Sequence, residues 1–134
     1  MNKTFTFVLA FSVIGVVFTS CNTEEETPTP LSQWQLIELL ADPGDGSGTF
    51  QPVTSNKIIG FYDDSTLICN GNLCQLGGES TPTTSGTYSL TDSTISPTGC
   101  PVSIFPLTFE MEGDNLILNY PCIEACREKY VQID

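Results

Sequence analysis

The segment Leu107-Thr108-Phe109-Glu110-Met111-Glu112-Gly113-Asp114-Asn115-Leu116-Ile117-Leu118-Asn119-Tyr120 decides the fold. Leu107, Phe109 and Met111 alternate with Thr108, Glu110 and Glu112, the chain turns at Gly113-Asp114, and Leu116, Leu118 and Tyr120 carry the apolar set back. Side chains alternate faces along a strand, so this pattern predicts an antiparallel hairpin with one oily and one wetted face.

Working outward, the same period of two recurs, punctuated by turn-forming pairs every eight to twelve residues or so. Gln33 to Leu40 reads as a first strand with Trp34, Leu36 and Leu40 on one face, followed by the loop Asp42-Pro43-Gly44-Asp45-Gly46-Ser47-Gly48. Lys57 to Tyr62 and Thr66 to Cys69 flank a turn at Asp63-Asp64-Ser65, and Asn70-Gly71-Asn72 turns again. Beyond a polar loop from Gly77, Ser85 to Thr91 sets Tyr88 and Leu90 on one face and returns through Thr94 to Ser96. Pro121 to Arg127 is the one stretch that reads as a helical turn, with Pro121 where a helix can begin, and Lys129 to Ile133 closes the series as a strand. The expected class is all-β, a small antiparallel meander of about eight strands closing into a barrel rather than a two-sheet sandwich. Its inward residues, which would also line any ligand site, are Trp34, Leu36, Phe61, Tyr88, Leu90, Phe109, Met111, Leu118 and Tyr120.

Residues 1–20 carry Lys3, then an apolar run from Phe5 to Phe18, then Thr19-Ser20. A bilayer needs about 20 apolar residues, so this run is too short to span one and fits the core of a signal peptide. Phe18-Thr19-Ser20-Cys21 resembles the lipobox of bacterial lipoproteins, in which the cysteine is acylated and becomes the new N-terminus. Residues 21–30 then read as a lipidated Cys21 followed by an acidic, proline-bearing tether with nothing to bury, and residues 31–134 as the barrel domain. The membrane is thus a partner through the acyl anchor.

The whole chain holds 16 carboxylates and no histidine. With the leader removed, Lys57, Arg127 and Lys129 stand against those 16 carboxylates, three against sixteen, a formal charge of −13. Such a polyanion repels phosphate backbones, so nucleic acid is not an expected partner. Lacking histidine, the chain lacks the commonest general base and the usual partner of a serine or cysteine nucleophile, and no enzymatic activity is expected.

Cys69, Cys74, Cys100, Cys122 and Cys126 remain in the domain, an odd number that in an exported protein implies disulfides with one thiol left over. Two bridges among five cysteines allow 15 arrangements, between which sequence alone does not choose; the expected pairing joins Cys69 with Cys74 across the Asn70-Gly71-Asn72-Leu73 turn, and Cys100 with Cys122 or Cys126. With no Cys-x-x-Cys pair, no histidine and an oxidising compartment, no metal or other cofactor is expected. Asp42 and Asp45 lack the spacing of a calcium-binding loop and read as turn chemistry, and Asp63 and Asp64 as solvated carboxylates at a hairpin tip.

The domain resembles the small lipocalin-like lipoproteins of Bacteroidetes, most specifically in Asp42 to Phe50, in Ser85-Gly86-Thr87-Tyr88-Ser89 and in Asn119 to Tyr130. Lipocalins close one end of the barrel with a Gly-x-Trp motif packed beneath a late arginine. Here Trp34 is kept, Ser32 stands where the glycine would be, and Arg127 is the candidate arginine. The resemblance implies a barrel fold and a place in the cell envelope, at the outer membrane, with the acidic triplet Glu24-Glu25-Glu26 resembling that group's signal for surface display. The function expected is a monomeric, non-enzymatic module that holds an apolar or amphiphilic small molecule. The alternative is a cavity-less, disulfide-stabilised surface domain that meets other proteins.

Overall fold

The computed structural model describes residues 27–77, 81–100 and 106–134. Cys21, the leader and the acidic triplet lie outside them. The described residues form nine strands and no helix: β1 Pro30–Ala41, β2 Gln51–Pro52, β3 Ile58–Tyr62, β4 Thr66–Cys69, β5 Thr84–Ser89, β6 Thr94–Pro97, β7 Leu107–Glu112, β8 Asn115–Tyr120 and β9 Cys126–Gln132. Strands β3 to β9 pair antiparallel in chain order, and β1 closes the ring by pairing with β3 through Pro30 to Gln35 and with β9 through Trp34 to Ala41. The architecture is an eight-stranded antiparallel barrel carrying β2 as one extra strand beside Glu38 and Leu39. The length of β1 makes closure possible, because its two halves serve different neighbours.

The alternation read from the sequence sets the core. Ile59, Leu67, Ile95, Leu107, Leu118 and Tyr130 are all fully buried, pointing inward from six different strands. Burying an aliphatic side chain of this kind contributes about 1.5–3 kcal/mol. Phe61 meets Tyr88 edge-on at 5.0 Å between ring centroids, and Phe109 lies at 6.4 Å on its other side. The hairpin that announced the fold pairs as its pattern requires, Phe109 against Leu118 and Met111 against Leu116.

Three expectations are corrected. Pro121 to Arg127 is not a helical turn: it is a tight reversal, and β9 begins already at Cys126, where the backbone pairs with both β1 and β8. From Cys126 on, two flanking strands offer the backbone partners that a helix would have had to supply internally. Leu90, 74% exposed, sits in the turn beyond the end of β5, so its side chain never reaches the interior. Met111 is 54% exposed because β6 pairs with β7 only at Leu107 and Thr108, leaving the far half of β7 without a neighbour on that side.

The barrel has two unlike ends. At one, the hairpin end, the tight turns β3–β4, β5–β6 and β7–β8 gather, together with the start of β1 and the end of β9. The other, the plugged end, collects residues 42–57, the described residues that follow β4 (70–77) and β6 (98–100), and the reversal before β9. Midway along the wall, β5 and β6 come so close at Gly86 that a Cβ there would lie 2.6 Å from the Ser96 carbonyl oxygen and 2.8 Å from Pro97 Cα. Both neighbours are backbone and cannot swing aside. Gly86→Ala should therefore destabilise the domain by about 1–3 kcal/mol in urea unfolding, whereas Thr87→Ala on the exposed face should stay within about 0.5 kcal/mol.

Candidate functional site

Beneath the plugged end lies an ion pair sealed from water. Lys57, at the threshold of β3, and Glu128, on β9, are both 0% exposed, and the ammonium donates to the two carboxylate oxygens at 2.9 and 3.0 Å. The Tyr120 hydroxyl donates to Glu128 Oε2 at 2.9 Å, the Tyr130 hydroxyl donates to the same oxygen, and the Gly77 backbone N–H donates to Oε1 at 2.6 Å. Charge-assisted bonds from so many donors are what make a buried carboxylate tolerable. Burial, reinforced by the neighbouring Glu128 charge, holds both tyrosine hydroxyls well above their ordinary pKa, which keeps them protonated as donors.

Local sequence explains how each group arrives. Cys126, Glu128 and Tyr130 share one face of β9 by the period of two, so Glu128 must point inward while Arg127 and Lys129 point out. Lys129 accordingly pairs with Glu38 at 2.8 Å on the outer face and stacks on the Phe50 ring at 4.1 Å. Gly77 is delivered by the segment after β4, which folds over the barrel mouth as a plug. Leu73 is fully buried there, its N–H donates to Thr84 Oγ1, and that hydroxyl donates to the Gly71 carbonyl at 2.6 Å.

Two disulfides brace this end. Cys74–Cys100 ties the plug to the segment after β6, and Cys122–Cys126 staples the reversal before β9. The expected pairing of Cys69 with Cys74, and of Cys100 with Cys122 or Cys126, is corrected. Cys69 follows Leu67 on the inward face of β4 and stays a buried free thiol that accepts the Gly71 N–H, while Cys74 lies past the turn, where Cys100 can reach it. Burial also pushes the Cys69 thiol pKa up, which leaves it unreactive. Closing 26 residues, the Cys74–Cys100 bridge stabilises by about 3 kcal/mol in the chain-entropy picture.

Of the residues expected to line a ligand site, Trp34, Leu36, Phe61, Leu118 and Tyr120 are buried in the core, and Tyr88 and Phe109 are half-buried against it. Leu90 and Met111 are outside it. The Trp34 indole N–H donates to Ser32 Oγ at 2.9 Å, so the serine standing in the glycine position of the motif has its own use. Arg127 does not lie over Trp34: it pairs with Leu40 and Asn119 toward the plugged end, whereas Trp34 faces Gln132 at the other end of β9. The buried ion pair went unread, although Glu128 stands two residues from both Cys126 and Tyr130.

The rim of the plugged end is built from ordered loops. Asp42 gathers the backbone N–H groups of Gly44, Gly46 and Gly48 onto its carboxylate, and these bonds, that from Gly48 foremost, hold its pKa below the usual 3.8. Asp42 N–H in turn donates to the Ala125 carbonyl, joining this loop to the stapled reversal. Between plug and reversal lies a largely apolar cleft of about 250 Å³ lined by Cys74, Gln75, Leu76, Tyr120, Pro121 and Cys122, and Ile123, next in sequence to Cys122, is fully exposed. Among the described residues, no group of three or more His, Cys, Asp or Glu side chains is arranged to hold a metal ion.

Two outcomes follow from the ion pair. Lys57→Met should cost about 3–5 kcal/mol in urea unfolding by leaving Glu128 charged and alone, and Lys57→Met with Glu128→Gln should recover part of it, since the amide oxygen of the introduced glutamine still accepts from the tyrosines. Tyr120 and Tyr130 have folded pKa values raised above the unfolded value near 10, so their contribution is fully present below pH 10 or so and is lost as pH climbs further. In an alkaline titration followed by tyrosinate absorbance, these two should ionise only together with unfolding.

No family model, no curated protein and no solved structure matches this chain.

Proposed function

We propose that this chain is a lipid-anchored lipoprotein of the cell envelope whose barrel is a non-enzymatic recognition domain. It meets another protein through the disulfide-braced rim of its plugged end rather than holding a small molecule inside. The observation that carries this reading is the filled interior: the inward residues pack against one another, and the space beneath the plug is taken by an ion pair whose donors and acceptors are already matched. A barrel of eight strands is just narrow enough for its own side chains to fill.

The cysteine pattern supports the anchor. Four cysteines bridge among themselves and Cys69 is buried, so the domain's disulfide chemistry leaves Cys21 free for acylation. Resemblance to the lipocalin-like lipoproteins of Bacteroidetes points to the same outer-membrane location, with display on the cell surface. A second reading, capture of an apolar or amphiphilic small molecule, is favoured by the apolar cleft beside Ile123, which matches a fragment rather than a full-sized lipid.

Two measurements separate these readings. A photoreactive phenylalanine in place of Ile123 should cross-link to one discrete protein in living cells, while the same residue in place of Leu90 should not. Native mass spectrometry of protein drawn from its own envelope should show no retained small molecule. A retained ligand together with silent cross-linking at position 123 would sink the protein-recognition reading in favour of the second.

A further inference from the structure

The chain enters the barrel under a clamp. Thr29 N–H donates to Asp63 Oδ1 at 3.0 Å and Asp63 N–H donates back to the Thr29 carbonyl at 3.1 Å, fastening the segment before β1 to the β3–β4 turn. Asp134 is held at the same end, where its Oδ1 accepts the Gln33 N–H at 2.7 Å. Thr29 stands eight residues after Cys21, so the chain between the anchor and the clamp spans at most about 29 Å. A domain of this size has a radius of gyration near 13 Å and is roughly 33 Å across. The connection is thus too short to run from the hairpin end around the domain and let the plugged end face the anchor.

From this clamp and this length we infer that the anchored protein stands over the bilayer on its hairpin end, with the disulfide-braced rim directed away. The lipid surface is the partner of the hairpin end. That end carries Asp63, Asp64, Asp92, Asp114 and Asp134. Of the three strong bases in the described residues, Lys57 is buried, Arg127 lies toward the plugged end, and Lys129 is held by Glu38 with Glu112 at 3.9 Å. An unneutralised carboxylate surface does not adsorb to anionic headgroups, so the hairpin end faces the bilayer without sinking into it.

The inference rests on Cys21 being the anchor, and its test separates the two. The native protein is placed in phosphatidylcholine nanodiscs carrying a gadolinium-chelating lipid, and methyl signals are compared with and without the metal. Leu90 and Met111 should lose most of their intensity, while the fully exposed Ile123 keeps its own. A flexible insertion of about twenty Gly and Ser residues between Glu26 and Thr27, which lengthens the reach well past the domain diameter, should make the three losses converge. The same comparison is run on mature chain whose Cys21 thiol is coupled to a maleimide lipid, so that the anchor is imposed. Equal losses there, or a greater loss at Ile123, overturn the orientation, whereas an unacylated Cys21 in the mass of the native protein overturns only the anchoring.

Discussion

Glu128 and Lys57 occupy the one place in the barrel where a mistake in register would be intolerable. Removing two charges from water costs several kcal/mol per ion, and the loss is offset only if every remaining lone pair and proton finds a partner. Glu128 receives the ammonium, two phenols and a backbone amide, which come from the threshold of β3, from β8, from β9 itself and from the plug. A slip of β9 by one residue would turn Glu128 out to water and drive Arg127 or Lys129 into the core. The pair therefore fixes β9 against β1 and β8, and holds the plug over the mouth.

That arrangement divides the molecule into ends with different work. At the hairpin end the connections are the shortest a meander allows, and the start of β1 is bound to the β3–β4 turn. At the plugged end the connections are long, and they are held by two covalent bridges, by the Asp42 carboxylate and by Glu128 from below. Ordering a loop before it meets a partner lowers the entropy lost on binding, so a braced rim is better suited to recognition than a free one. The exposed Ile123 and the apolar cleft beside it lie on that braced surface.

Much of this could be read from residue order alone, and the parts that could not share a cause. The hairpin through Gly113-Asp114 is plain because β7 alternates throughout and Leu116, Leu118 and Tyr120 repeat its period on the return strand, where Ile117 alone breaks the pattern and is buried as well, and the barrel follows from many short strands each needing to hide one face. Glu128 falls between the expected helical turn, which ends at Arg127, and the expected last strand, which begins at Lys129; only the period linking Cys126, Glu128 and Tyr130 places it inside. The same rule, applied to Leu67 and Cys69, would have put Cys69 in the core and removed it from the pairing. Leu90 and Met111 keep the alternation, but Leu90 lies past the last residue of β5 that pairs with β6, and Met111, though paired with Leu116 of β8, lies past the last residue of β7 that pairs with β6. Cys74 and Cys100 meet because the plug folds back over the mouth, a tertiary event with no local signature.

For the proposed lipid-anchored form, the charge distribution raises the question of whether repulsion or tether length would govern how the domain sits at a membrane. At physiological ionic strength the field of the carboxylates decays over about 8 Å, while the chain between Cys21 and the clamp reaches at most about 29 Å. Repulsion from an anionic surface therefore acts only in the last third or so of the available approach. It can keep the turns of β3–β4, β5–β6 and β7–β8 from touching headgroups, but it is too short-ranged to rotate a domain roughly 33 Å across. Orientation then follows from the point of attachment. In the proposed anchored form, the two hydrogen bonds between Thr29 and Asp63 do more to decide which end would meet a partner than the net charge of the chain does.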